Sequence, residues 1–131
     1  MIFWGNRILT NVKKTLGDSC TNVVSRRNNI KARFPACLVH IIADDSVSDD
    51  LDISDEEAAV NCGVEIETYS NVSLNNSYEL MGTANTAMYR MGFHRVQGPF
   101  HVEEPSAPEY FRLVSRYERV IGGADSIPLF E

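Results

Sequence analysis

The 131-residue chain has no long apolar run; its longest, ACLVHIIA at 36–43, is eight residues and contains His40. A membrane-crossing helix needs about 20 apolar residues, so the sequence excludes one. The opening stretch, MIFWGNRILTNVKK, also lacks the apolar core of a signal peptide. No run of five or more basic residues exists, which leaves no dedicated patch for gripping nucleic acid. The three cysteines, Cys20, Cys37 and Cys62, are scattered, with no C-x-x-C pair. An odd, dispersed set implies reduced thiols in a cytosolic setting, with Cys37 and Cys62 acting as small hydrophobes inside apolar runs.

What is present reads as a globular protein: 44% of residues are hydrophobic and 23% charged. A chain of this length buries roughly two thirds of the surface its unfolded state exposes, so one core is feasible without staples. The expected organisation is a single domain over residues 1–123, followed by a C-terminal tail at 124–131, ADSIPLFE. Charge is concentrated. The stretch DDSVSDDLDISDEE at 44–57 holds eight of the 18 acids, Asp44, Asp45, Asp49, Asp50, Asp52, Asp55, Glu56 and Glu57, and no Lys or Arg. Without it the remaining ten acids face twelve bases, so the net charge of −6 belongs to one segment.

Hydrophobic periodicity gives the elements. Residues 2–17 predict a helix with Leu9, Val12 and Leu16 on one stripe and Gly17 as its stop. TNVVSRR at 21–27 is a short β-branched strand, and the near-continuous apolar run at 36–42 suggests a central strand covered on both faces. Residues 58–70 alternate: Val60, Cys62, Val64, Ile66 and Thr68 point one way, Asn61, Glu65, Glu67 and Tyr69 the other. Strands 36–42 and 58–70 are expected to pair antiparallel, with the acidic stretch as their connecting loop. At 71–93, Ser73 caps a helix whose stripe runs through Ser77, Leu80, Met81, Ala84, Ala87, Met88 and Met91, and Gly92 ends it. A short strand within 93–108 and a long one over 109–121 complete the order α-β-β-β-α-β-β. The fold class is therefore α+β, a mostly antiparallel sheet flanked by two helices, with a long acidic loop between two central strands.

The chemistry-bearing residues form no familiar constellation. Asp50, Asp52 and Ser54 suit the first ligand positions of an EF-hand, but Asp55 stands where glycine is needed and Asn61 where a bidentate Glu is needed. The acidic cluster has no apolar surroundings to shift a pKa for acid–base work. His40, His94 and His101 follow no zinc spacing; His40, inside an apolar strand, reads as a satisfied core histidine. There is no G-x-S-x-G, and VIGGAD at 120–125 lacks the Lys and Ser/Thr of a phosphate loop. No cofactor or metal is expected, and enzyme activity is disfavoured. Arg112 and Arg116 share a strand face with Tyr110 and Val114, a placement that suits a subunit interface.

The second half resembles the tail terminator, or tail completion, proteins of long-tailed bacteriophages. The resemblance rests on a strand ending Tyr69-Ser70-Asn71, a helix ending Met91-Gly92-Phe93, the Q-GPF stretch, and a closing strand with Arg116-Tyr117. The N-terminal helix and FPACLVHII fit the same plan, while the acidity of the long loop departs from it. The resemblance implies a virion protein of the tail or neck, assembled in the bacterial host cytoplasm. Such a protein forms a homohexameric ring at the head-proximal end of the tail tube. Its partners would be the tube protein and the head–tail connector, with DNA passing through the lumen unbound and no membrane involved. The eight acids would then line the lumen or dock on a partner. A head–tail stopper or adaptor is the alternative within the assembly class; a small α+β enzyme or ligand-binding domain is the alternative outside it.

Overall fold

A computed structural model describes residues 5–26, 33–46, 59–103, 109–122 and 126–131; for 43–46 and 59–60 it describes the backbone alone. It shows the α+β class, with two helices and five strands in the expected order: α1 (Gly5–Leu16), β1 (Asn22–Val24), β2 (Ala36–Ser46), β3 (Ala59–Ser70), α2 (Leu74–Arg90), β4 (His94–Val102) and β5 (Phe111–Gly122). The sheet order is β1-β2-β3-β5-β4. Among the described strands β1–β2 is parallel, and β2–β3, β3–β5 and β5–β4 are antiparallel, as expected for β2 and β3. Because β5 lies between them and antiparallel to both, β3 and β4 run in the same direction, joined through α2. That is a split β-α-β unit, in which the returning strand fills the gap.

Both helices contribute to one core against a single face of the sheet. From α1 come Ile8, Val12 and Leu16, at one-turn intervals; from the sheet come Cys37, Val39, Cys62, Val64, Ile66, Leu113, Tyr117 and Ile121. The stripe on α1 differs slightly from expectation: Ile8 and Asn11 are fully buried, and Leu9 sits at the margin. Lys13 and Lys14 occupy the last turn, where cations suit the helix dipole.

On α2 all seven stripe positions are buried, from Ser77 through Met91. Its start is fixed by Ser73, whose hydroxyl accepts from the Asn76 backbone N–H at 3.0 Å. Its end is a Schellman motif, with the Phe93 N–H on the Met88 carbonyl and the Gly92 N–H on that of Tyr89, both at 3.0 Å. Gly92 takes the positive φ of +83° this requires, and a Cβ there would press on the Arg119 side chain at 3.2 Å. Arg119 Nη1 in turn donates to the Met91 carbonyl. Polar contacts along its length also lock α2 onto the sheet. Ser77 Oγ donates to the Thr68 carbonyl at 3.1 Å, and the Tyr117 hydroxyl donates to Asn85 Oδ1 at 2.8 Å.

Among the described residues no helix lies on the opposite face of the sheet. Its β1 end is covered by a small second cluster, in which Ala36, Leu38 and Tyr69 are buried against Val24, Phe34 and Tyr110. Phe34 and Tyr69 each meet the Tyr110 ring, at 5.4 and 5.5 Å between centroids. Beyond that cluster no described residue covers this face, hereafter the open face. The expectation that strand 36–42 is covered on both sides holds for Ala36 to Val39 and is corrected beyond them: His40, expected in the core, is exposed on the open face, and Ile42 is exposed too. The near-continuous apolar run reflected one core face and one small aromatic cluster rather than two full layers.

The C-terminal segment 126–131 does not trail into solvent. Ile127 is fully buried in the main core, and Phe130 packs against it. No helix among the described residues is long and apolar enough to cross a membrane.

Candidate functional site

The open face is built by β3 and β5, whose register sets Glu65 opposite Arg116 and Tyr69 opposite Arg112. Arg112 Nε donates to Glu67 Oε1, and the Tyr69 hydroxyl donates to the same oxygen at 2.9 Å. Glu67 is only 1% exposed, so its charge needs these partners; an isolated buried carboxylate is not tolerated. The second rung is shallower. Arg116 Nε donates to Glu65 Oε2 at 3.2 Å, with the Arg116 side chain 47% exposed. A pair that open contributes about 0–1 kcal/mol. The two rungs therefore differ in role: one holds the fold, the other presents charge.

Around the rungs lie two shallow depressions. One, of about 300 Å³, is lined by Ser25, Arg26, Leu38, His40, Glu65 and Glu67. The other, of about 340 Å³, is lined by Ile42, Val96, Gln97, Arg116, Tyr117 and Glu118. Ile42 and Val96, from strands on either side of the β3–β5 pair, thus border the same hollow. Register places Val120 opposite Asn61 and Phe100 opposite Val114, again on this face. All four apolar side chains are more than two fifths exposed, Val120 at 55%. The face combines a pre-formed charge ladder with an unburied apolar margin, the composition of a protein-contact surface.

The residues singled out from sequence fall into two groups. Arg112 and Arg116 do lie on one face with Tyr110 and Val114, and each finds a carboxylate inside its own chain. Moreover β5 is an inner strand, flanked by β3 and β4, so its backbone is already paired on both edges. Of the acidic stretch, Asp44 and Asp45 belong to β2, opposite Cys62 and Asn61. Asp49, Asp50, Asp52, Asp55, Glu56 and Glu57 lie outside the described residues. Sequence reasoning missed the buried Glu67–Tyr69–Arg112 group. Its signal was present in the alternation of 58–70, which sets Glu65, Glu67 and Tyr69 on one side.

The buried nucleophile candidates are quiet. Burial pushes the Cys20 thiol from 9.0 up to about 11, against a smaller lowering by the Asn22 backbone. Cys37, fully buried, is raised by burial first and then by Cys20 and Glu67. Burial likewise lifts the Tyr117 phenol from 10.0 to about 12, so it stays a hydrogen-bond donor to Asn85. Such thiols pack as small hydrophobes. Among the described residues no group of three or more His, Cys, Asp or Glu is placed to hold a metal ion. Compared with known proteins, the sequence matches no family model and no curated protein.

Proposed function

We propose that this chain is an assembly protein of a long-tailed phage virion, a tail terminator that closes into a ring on the head-proximal end of the tail tube. There it ends tube growth and presents a joining surface to the head connector. The observation that carries this reading is the sheet face over which the described residues place no helix. A mixed two-layer fold leaves one face to water when that face is polar, but here Ile42, Val96, Phe100 and Val120 stand exposed beside the Glu65–Arg116 pair. A closed ring needs one surface of each copy to meet a different surface of the next, and this face supplies one of the two. The acidic stretch adds eight carboxylates per copy. Facing a lumen, they would repel phosphates and leave passing DNA no adhesive site.

Sedimentation and negative-stain microscopy of the purified protein test the reading. A ring of about six copies is expected, weakened by Val120→Glu, and addition to a polymerising cognate tube protein should shorten the tubes. A compact monomer at every concentration, without effect on tube length, would overturn it. A second reading has its own observation: the depression beside Arg26, His40, Glu65 and Glu67 is the size of a small-ligand site. A ligand-dependent rise in melting temperature, lost in His40→Ala, would favour it.

A further inference from the structure

β2 is longer than the strand that covers its outer edge. β1 pairs with Ala36, Cys37 and Leu38, ends at Val24, and the chain then bends at Ser25 and Arg26. β2 itself continues to Ser46, and from Val39 onward no described strand lies along its outer side. The other end of the sheet differs. There the edge strand β4 carries Gly98-Pro99, and its register with β5 slips between Arg95 and Gln97 and again between Gln97 and Phe100. Bulges and proline make an edge a poor template for a further strand. The outer edge of β2 has no proline, and it stays regular through Val39, His40 and Ile41, up to the register slip with β3 that follows Ile41.

A hollow flanks those three residues on each face. On the helix side about 420 Å³ opens beside the start of α1, lined by Gly5, Asn6, Leu9, Val39 and Ile41. On the open face lies the depression of about 300 Å³ at Leu38, His40, Glu65 and Glu67. Ser25 and Arg26 border both hollows, at the point where β1 stops. Side chains of a strand alternate between faces, so a strand laid along this edge sends successive side chains into one hollow and then the other. The two differ in chemistry. Leu9, Val39 and Ile41 make the first a seat for an aliphatic group. In the second, Glu65 and Glu67 are already held by Arg116 and Arg112, while Arg26 and His40 are exposed and have no ion pair among the described residues. A guanidinium and an imidazole select a carboxylate.

We propose that the outer edge of β2 at Val39–Ile41 is a strand-addition site for an extended segment of a partner protein in which acidic and aliphatic residues alternate. The segment's main chain pairs with the ladder groups that β1 leaves uncovered, one aliphatic side chain enters the hollow beside α1, and the carboxylates before and after it meet Arg26 and His40. Alternation reads the same in either chain direction, so the added strand fits parallel or antiparallel. This goes beyond the reading of the protein as a ring former and does not depend on it.

The test uses the full chain, isotopically labelled, and three end-blocked heptapeptides: EVEVEVE, KVKVKVK and EEEEVVV. The expected result is saturable amide shifts centred on Val39–Ile41 and Leu9, with EVEVEVE binding about ten-fold or more tightly than either control. The double variant Arg26→Gln/His40→Gln should weaken that binding several-fold at an unchanged melting temperature, since both side chains are exposed. Two further peptides, EVEVEVE N-methylated at every valine or at every glutamate, separate strand pairing from side-chain contact. Alternate N–H groups of a paired strand face its neighbour, so one of the two must lose binding and the other keep it. Equal behaviour of the two, no saturable shift up to millimolar peptide, a control that binds as well as EVEVEVE, a double variant that binds unchanged, or shifts centred on Val96 and Val120 would each overturn the proposal. Peptide binding by a protein that forms no rings would keep this site and remove the ring reading; rings without peptide binding would do the reverse.

Discussion

Replacing Arg112 with Ala removes the guanidinium that pairs with Glu67, a carboxylate only 1% exposed. Breaking a buried ion pair by removing one partner costs about 3–5 kcal/mol, because the surviving charge is desolvated and uncompensated. The Tyr69 hydroxyl, still donating at 2.9 Å, offsets part of this, so the lower end of the range is expected. A domain of this size has a stability of roughly 5–15 kcal/mol, and a loss of about 3 kcal/mol lowers its melting temperature on the order of 10 °C. Urea denaturation and thermal melts of the monomer, at concentrations below any assembly, read the effect. The discriminating comparison is the double variant Arg112→Leu/Glu67→Leu, which removes both charges and fills the space with apolar volume. It should recover most of the loss, giving a coupling energy of at least about 2 kcal/mol in the cycle. A single variant as stable as the parent would refute the reasoning.

Three other outcomes are expected. Ala84 is fully buried where α2 meets the sheet, so Ala84→Glu places an unpaired charge in the core and should cost several kcal/mol; a soluble variant with the parent's melting temperature would show the helix face to be wrong. With Cys20 raised from 9.0 to about 11 and Tyr117 from 10.0 to about 12, the unfolded chain releases these protons first. The native state then binds more protons than the unfolded one, so stability falls as pH rises from about 9 to 12, and a flat urea midpoint across that window would contradict the burial argument. Changing the eight acids of 44–57 to Asn and Gln should slow DNA ejection while particles still assemble, if the stretch lines a lumen; tails failing to join heads would place it on a partner surface, and normal infectivity would leave it only a solubilising role.

Much of this fold was legible because two periodicities were clean. The α2 stripe from Ser77 to Met91 is buried at every predicted position, and its Ser73 and Gly92 boundaries hold. The same is true of the strand order, which follows from where apolar runs and turn residues alternate. What failed shares one cause: a pattern gives the difference between two faces without saying what covers each. Alternation in β3 separated Glu67 and Tyr69 from the core face, yet both are buried, because Arg112 of β5 and Tyr110 just before it arrive from far along the chain. His40 looked like a core residue because its neighbours are apolar, but nothing among the described residues covers that part of the face. The docking of Ile127 was invisible because a six-residue segment has too few positions to show a period. Spacing set Arg112 and Arg116 on one strand face, while their partners Glu67 and Glu65 required the β3–β5 register.

That register also changes how the two arginines should be weighed as assembly residues. Since β5 is paired on both edges, it can meet a neighbour only through side chains on the open face, not by extending a sheet. On that face depth divides the labour. Arg112 is tied to Glu67 beneath the Tyr69–Tyr110 cluster, so its loss registers first in the stability of the single chain. Arg116 is half exposed and borders the hollow shared by Ile42 and Val96, so neutralising it costs the monomer about 0–1 kcal/mol. The same change at a contact would strip a partner carboxylate of its cation. Arg116→Gln should therefore leave the melting temperature of the monomer nearly unchanged while weakening any assembly through this face, and Arg112→Gln should damage both. Equal effects of the two on assembly at matched folded concentration would mean that depth in this face does not separate stability from contact.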